Sequence, residues 1–259
     1  MSATNRTKSK ADRLAAQPLD FYETPAHAIA VLVDVLSEEL PQDADRRSMR
    51  CIVDAGCGTG VIGLEILRSL QCNVLGAELD KRRSIESNRR GLPTLDTDFK
   101  TMDLLGVDHV VGNPPFSEAV AFIHKGLSLV GEGGLVSFLL RLNFLGSGRK
   151  RYDLLAPKGG LYRVDVLTDR PSFCTSARCD ACGETWQFPA GKPLKSLLHP
   201  PSSCGCAGTP PNKPQPAYGG SRMYKASRTD SVDYAWVTWK KGFDGDARIR
   251  ICPSRKETK

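Results

Sequence analysis

The segment Cys51-Ile52-Val53-Asp54-Ala55-Gly56-Cys57-Gly58-Thr59-Gly60 constrains this chain more than any other. A short apolar run enters a turn with glycine at three alternate positions, and a helical pattern follows over Val61–Leu70. Glycines so placed let a backbone turn tightly and approach a ligand without Cβ contacts. A strand feeding such a turn and then a helix is the opening unit of an open α/β sheet. The same turn serves a bound dinucleotide or nothing more than a sharp reversal, so its surroundings must decide.

Those surroundings continue the rhythm. Apolar strands are expected at Cys51–Ala55, Asn73–Leu79, Phe99–Met102, Val107–Val111, Leu135–Leu140, Tyr162–Leu167 and Tyr234–Trp239. Helices are expected at Ala26–Leu36, Val61–Leu70, Lys81–Arg90, Glu118–Leu129 and Gly148–Leu155, with a polar linker over Pro41–Ser48. Alternation of this kind predicts a seven-stranded, mainly parallel sheet with helices on both faces. Trp236 and Trp239 lie three apart on one strand and should face opposite sides.

Two carboxylates follow the glycine turn at the ends of the next two expected strands, Glu78 and Asp103. A carboxylate at the second strand end can accept from both hydroxyls of a ribose. The dinucleotide fingerprint requires its third glycine where Val61 stands, so a different nucleoside ligand suits the turn better. Gly112-Asn113-Pro114-Pro115-Phe116 then ends the fourth strand. Two prolines alone would make a rigid turn. An exocyclic amine explains all four residues after the glycine: it is a poor nucleophile and needs N–H acceptors that bear the charge developing on nitrogen. The Asn113 side-chain oxygen and the Pro114 carbonyl supply two acceptors, Pro115 stiffens them, and Phe116 offers a face for a planar base.

Asp54–Gly60, Glu78, Asp103 and Asn113–Phe116, in this order, resemble the class I S-adenosylmethionine-dependent methyltransferases that modify adenine N6 in DNA. Asp20-Phe21-Tyr22-Glu23-Thr24-Pro25 resembles the segment beside the methionine end of the cofactor in such enzymes. Leu140–Leu145, Arg170–Phe173 and Asp233–Trp239 resemble the later strands of small phage and prophage members. The resemblance implies a Rossmann-like α/β fold and methyl transfer to a flipped adenine in double-stranded DNA. Thr24, Pro25, Asp54, Ala55, Gly56, Gly58, Gly60, Glu78 and Asp103 would then hold the cofactor, with Asn113, Pro114, Pro115 and Phe116 at the target. Phe173 becomes a second stacking candidate. The same tetrapeptide also occurs in enzymes acting on RNA bases and protein glutamine. Those substrates, and a catalytically silent nucleic-acid-binding fold, are the rival readings; no Pro-Cys nucleophile for cytosine C5 occurs.

Between Pro171 and Arg222 the periodicity stops, and nine of the 17 prolines and five of the nine cysteines gather there. Cys179-x-x-Cys182 and Cys204-x-Cys206 could close a tetrahedral Zn²⁺ site, with Cys174 or His199 able to replace one ligand. Bound metal would supply folding free energy that a small segment without a core lacks. The chain therefore divides into a basic tail (1–17), a catalytic domain (18–170 and 226–252), a zinc-binding insertion (171–225) and a short tail (253–259). With 36 Lys+Arg against 29 Asp+Glu the net charge is +7, which permits a polyanionic partner without requiring one. No apolar run spans a bilayer and residues 1–13 lack a signal core, so a reducing, cytoplasmic setting is expected. His27, His109, His124 and His199 form no catalytic or metal constellation.

Overall fold

The computed structural model describes residues 23–146, 148, 151–169, 171, 176–178, 185–187 and 232–253. In chain order these form α1 (Ala26–Glu39), α2 (Ala44–Ser48), β1 (Cys51–Ala55), α3 (Val61–Leu70), β2 (Asn73–Glu78), α4 (Lys81–Arg89), β3 (Thr94–Asp96) and β4 (Val107–Gly112). Then come α5 (Ala119–Leu129), β5 (Val130–Arg141), α6 (Tyr152–Leu155), β6 (Leu161–Leu167), β7 (Ser176–Arg178), β8 (Thr185–Gln187), β9 (Tyr234–Lys240) and β10 (Arg248–Cys252).

One sheet runs β10-β6-β9-β5-β4-β1-β2-β3. All pairs are parallel except those of β9, which is antiparallel to both β5 and β6. Side chains alternate between two cores. Ile52, Val111, Leu139 and Trp236 meet α1 and α3 on one face. Val53, Val110, Phe138 and Trp239 meet α5 and α6 on the other. The two tryptophans thus face opposite sides, both fully buried. Their indole N–H groups donate to the carbonyls of Ala28 (2.7 Å) and Leu154 (2.9 Å), so neither buries an unmet donor. This is the expected Rossmann-like methyltransferase fold, a mixed, mainly parallel sheet with helices on both faces.

Three expectations need correction. Phe99–Met102 is not the third strand. The Asp98 side chain accepts from the backbone N–H of Lys100 (2.9 Å), which caps a 3₁₀ turn over Phe99–Thr101. The strand is instead Thr94–Asp96, short and polar, at the sheet edge. The sheet has eight strands rather than seven, because Arg248–Cys252 adds an edge strand beside β6. Only Tyr152–Leu155 is helical within the expected Gly148–Leu155 segment. The linker over Pro41–Ser48 holds α2, whose first turn is capped by the Asp43 side chain. β7 and β8 form a separate antiparallel pair. Phe173, Cys179, Cys182, Cys204, Cys206 and the basic tail lie outside the described residues. Among the described residues, no helix is long and apolar enough to cross a membrane.

Candidate functional site

The glycine turn leaves the carboxyl end of β1 with Gly56, Gly58 and Gly60 at φ of 67°, 57° and 85°. These left-handed values select glycine directly. Position 60 is doubly restricted, since a Cβ there would lie 2.5 Å from Ser87 Oγ. The N–H groups of Gly56 and Cys57 donate to the Ala77 carbonyl at 2.8 and 3.0 Å, tying the turn to β2. At the end of β2, Glu78 Oε2 accepts from Gly58 N (2.8 Å). Its Oε1 accepts from Asp80 N (2.8 Å) and from the Arg83 guanidinium (3.1 and 3.2 Å).

Asp54 lies beneath this turn, fully buried. Its Oδ2 accepts from Gly63 N (2.9 Å) in the first turn of α3, whereas Oδ1 has no hydrogen-bond partner among the described residues. Burial pushes its carboxyl up to about 7; the Gly63 N–H opposes the shift and the nearby Glu78 charge adds to it. Burial likewise pushes the Cys57 thiol up to about 12, so Cys57 is a packing group and not a nucleophile. His109, held down to about 4 by burial, accepts from Leu135 N through Nδ1 and is neutral and structural.

The turn opens onto a cleft of about 810 Å³, counting its open mouth. One wall is Gly56 and Cys57; the second is Glu78, Leu79 and Arg83. Asp98, Phe99 and Lys100 form the third, and Asn113, Pro115 and Glu118 the fourth, while Glu23 and Thr24 close one side. Of the residues expected to hold a cofactor, Thr24, Gly56 and Glu78 line this space. Asp54, Ala55, Gly58 and Gly60 build the turn behind it, and Pro25 starts α1, its carbonyl accepting from Ala28 N and Ile29 N. Asp103 is exposed and does not line the cleft; with the third strand ending at Asp96, the acid that reaches it is Asp98.

Asn113 is pressed toward the cleft from behind. A Cβ at Gly112 would lie 2.5 Å from the Ala55 carbonyl oxygen, so β4 and β1 touch backbone to backbone where the tetrapeptide begins. Asn113 Nδ2 donates to Thr24 Oγ1 (3.2 Å). Pro114 is buried and Pro115 lines the cleft. Phe116 is half-buried and does not line it. Its ring lies 5.7 Å from that of Tyr234, and the Arg141 guanidinium stacks 4.5 Å from its centroid. Arg141 Nε also donates to Tyr234 Oη (3.3 Å).

Sequence reasoning missed Asp98, Arg83, Lys100 and Glu118. Lys100 Nζ bridges Glu118 (2.7 Å) and Asp98 (3.6 Å), joining the third wall to the fourth. The Asp-Phe pair after a short apolar-centred run was the available signal. Among the described residues, no group of three or more His, Cys, Asp or Glu side chains could hold a metal ion.

Residues 27–128 match the family model of the methyltransferase small domain. No curated protein matches the chain by sequence. Among solved structures, it resembles a candidate RNA methyltransferase from Pyrococcus horikoshii (17% identity, 87% of this chain and 91% of that one, TM-score 0.47). It also resembles TrmN from Thermus thermophilus (18% identity, 81% and 48%, TM-score 0.41). A third is geranyl diphosphate C-methyltransferase from Streptomyces coelicolor A3(2) (17% identity, TM-score 0.38). That match covers 47% of this chain and about half, 49%, of the Streptomyces chain.

Proposed function

We propose that this methyltransferase-fold chain transfers the methyl group of S-adenosylmethionine to the exocyclic N6 amine of adenine in DNA. The observation that carries the reading is the convergence of two separate sequence motifs on one cleft. Gly56 and Glu78 line one side of it, and Asn113 and Pro115 another.

The groups present suit the cofactor. Glu78 keeps acceptor capacity on Oε2 for a ribose hydroxyl, Leu79 is 54% exposed as an apolar platform beside it, and Asp98 stands at the purine end. Glu23, Thr24 and the glycine turn face the remaining side, where an amino-acid end would lie. Bound there, the cofactor supplies a methyl group activated by a sulfonium. Asn113 and the Pro114 carbonyl accept the N–H groups of the target amine and stabilise the charge that grows on its nitrogen. Asn113 is neutral at all working pH, so it orients the amine; the proton leaves to solvent after transfer. Phe116 already stacks a planar cation, Arg141, as a base-stacking ring should. A cation this close to the developing charge also favours a substrate whose phosphates offset it.

Tritiated S-adenosylmethionine offered with duplex DNA, RNA and protein, followed by nucleoside digestion, tests this reading. Label in N6-methyladenine from DNA is expected, and label confined to RNA or protein would overturn the DNA assignment.

The reading extends to one structural Zn²⁺ held by Cys179, Cys182, Cys204 and Cys206. In its favour, β7 and β8 pair antiparallel on either side of residues 179–184, which carry the first two cysteines. Metal analysis should find one zinc per chain; well under one removes the zinc.

A further inference from the structure

Thr24 stands where the cofactor cleft meets the target motif. It lines the cleft, is 6% exposed, and its Oγ1 accepts from Asn113 Nδ2 at 3.2 Å. The chemical weight of this contact comes from the two-sidedness of a carboxamide. One end carries two donors and the other an acceptor, and the ends exchange by a simple flip. A target amine brings N–H donors, so only the oxygen end can orient it. The nitrogen end would oppose donor to donor and stabilise no positive charge.

We propose that Thr24 is a positioning residue that fixes the amide of Asn113, holding its nitrogen so that Oδ1 is the atom offered to the substrate amine. The inference rests on the reading of Asn113 as the amine acceptor and adds the residue that makes this asparagine an acceptor.

Both partners are pinned in ways that suit such a lock. Before Thr24, Glu23 Oε1 accepts from Thr59 Oγ1 (2.6 Å) and lies 3.6 Å from the Arg90 guanidinium. After it, Pro25 caps α1 at φ −66°. The threonine is therefore set between a neighbour tied to the glycine turn and one committed to a helix. Gly112, on the other strand, leaves Asn113 no room to retreat from β4. A hydrogen bond between two such fixed points needs little ordering and selects one amide orientation. It also joins the residue that borders the cofactor to the residue that holds the amine, 89 positions apart in the chain.

Thr24→Val keeps the shape of the side chain and removes the acceptor, whereas Thr24→Ser keeps it. With saturating cofactor and DNA, Thr24→Val should lower kcat about tenfold, the scale of one hydrogen bond. Cofactor Kd by calorimetry should move less than about threefold, and Thr24→Ser should restore kcat to within about threefold of wild type. A Thr24→Val enzyme with unchanged kcat, or one impaired only in cofactor Kd, would overturn the proposal. A second readout needs no turnover. In ¹⁵N-resolved NMR of the whole chain, the side-chain NH₂ pair of Asn113, assigned by its loss in Asn113→Ala, should show one hydrogen-bonded proton. That signature should vanish in Thr24→Val and persist in Thr24→Ser; its survival in Thr24→Val would equally overturn the lock. Asn113→Ala enzyme retaining wild-type turnover would instead sink the acceptor reading beneath it.

Discussion

Asp165 and Asp54 are both fully buried carboxylates, at opposite ends of the same sheet, and their surroundings differ in one respect. Both oxygens of Asp165 are sealed by guanidinium groups: Arg163 donates to each (2.8 and 2.9 Å) and Arg250 to one (2.6 Å). Glu38, at the end of α1, receives the remaining reach of both arginines at 2.7 Å. Every charge there is closed on another, and the set fastens β6, β10 and α1 together. Asp54 has one N–H on one oxygen and no partner among the described residues on the other. The groups above it converge on open space. A buried charge with all its partners is a fastener, and a polar set with unfilled capacity around a cavity is a working surface.

If that contrast is right, damage at the two ends should have different consequences. Asn113→Ala should reduce methyl transfer by about a thousandfold, equivalent to about 4 kcal/mol in the barrier, while the unfolding temperature stays nearly unchanged. Radiometric turnover beside calorimetry would show it, and a large fall in unfolding temperature would blur the two ends. Asp165→Asn should do the reverse. Two arginines lose a buried counter-charge, and stability should fall by about 3 kcal/mol in denaturant titration, with turnover per folded molecule kept.

The open carboxylate gives a third test through pH. Asp54 has its folded value raised to about 7 from an ordinary 3.8. Between those values the folded chain keeps a proton that the unfolded chain has lost, so this group's stability contribution is present at low pH and lost as pH rises toward 7. His109, depressed to about 4, acts oppositely in the acid range, and it is common to wild type and variant. From pH 5 to pH 8, Asp54→Asn should therefore gain about 2 kcal/mol relative to wild type. A constant difference across that range would show that Asp54 is ionised throughout. The smallest effect is expected for Cys57→Ala, less than about threefold in turnover, because a thiol pushed to about 12 has no chemistry to lose at neutral pH.

Legibility in the sequence followed how strongly each residue type is forced. The glycine turn and α3 were readable to the residue because left-handed φ values admit few alternatives. The alternation of Ile52 with Val53, or Trp236 with Trp239, was readable because both faces are buried and the pattern has period two. The third strand was not. Thr94–Asp96 is short, and Leu95 is 44% exposed, so it lacks the apolar signature that Phe99 and Met102 carry as core residues of a turn. That displacement made Asp103 look like the strand-end acid in place of Asp98. β10 escaped for a related reason: Ile249 and Ile251 are 71% and 64% exposed, while the arginines between and beside them make the structural contacts. Side chains recruited by distant partners, such as Arg83 for Glu78 or Lys100 for Glu118, carry no local period at all.

The antiparallel pairing of β6 with β9 has a topological consequence. Val166 pairs with Ala235 across it, so the chain leaves at residue 168 and returns at residue 233 on neighbouring strands. Viewed as a wiring diagram, everything between is the loop of a single hairpin, however long. Closing a longer loop costs only about 0.6 kcal/mol per doubling of its length. The sheet can therefore carry a large or small passenger there with little change to itself. The return strand begins at Tyr234, against Arg141 and Phe116, so any passenger is tethered beside the proposed target pocket. Exchange of this one loop is thus a direct route by which a single chassis could be fitted to different substrates.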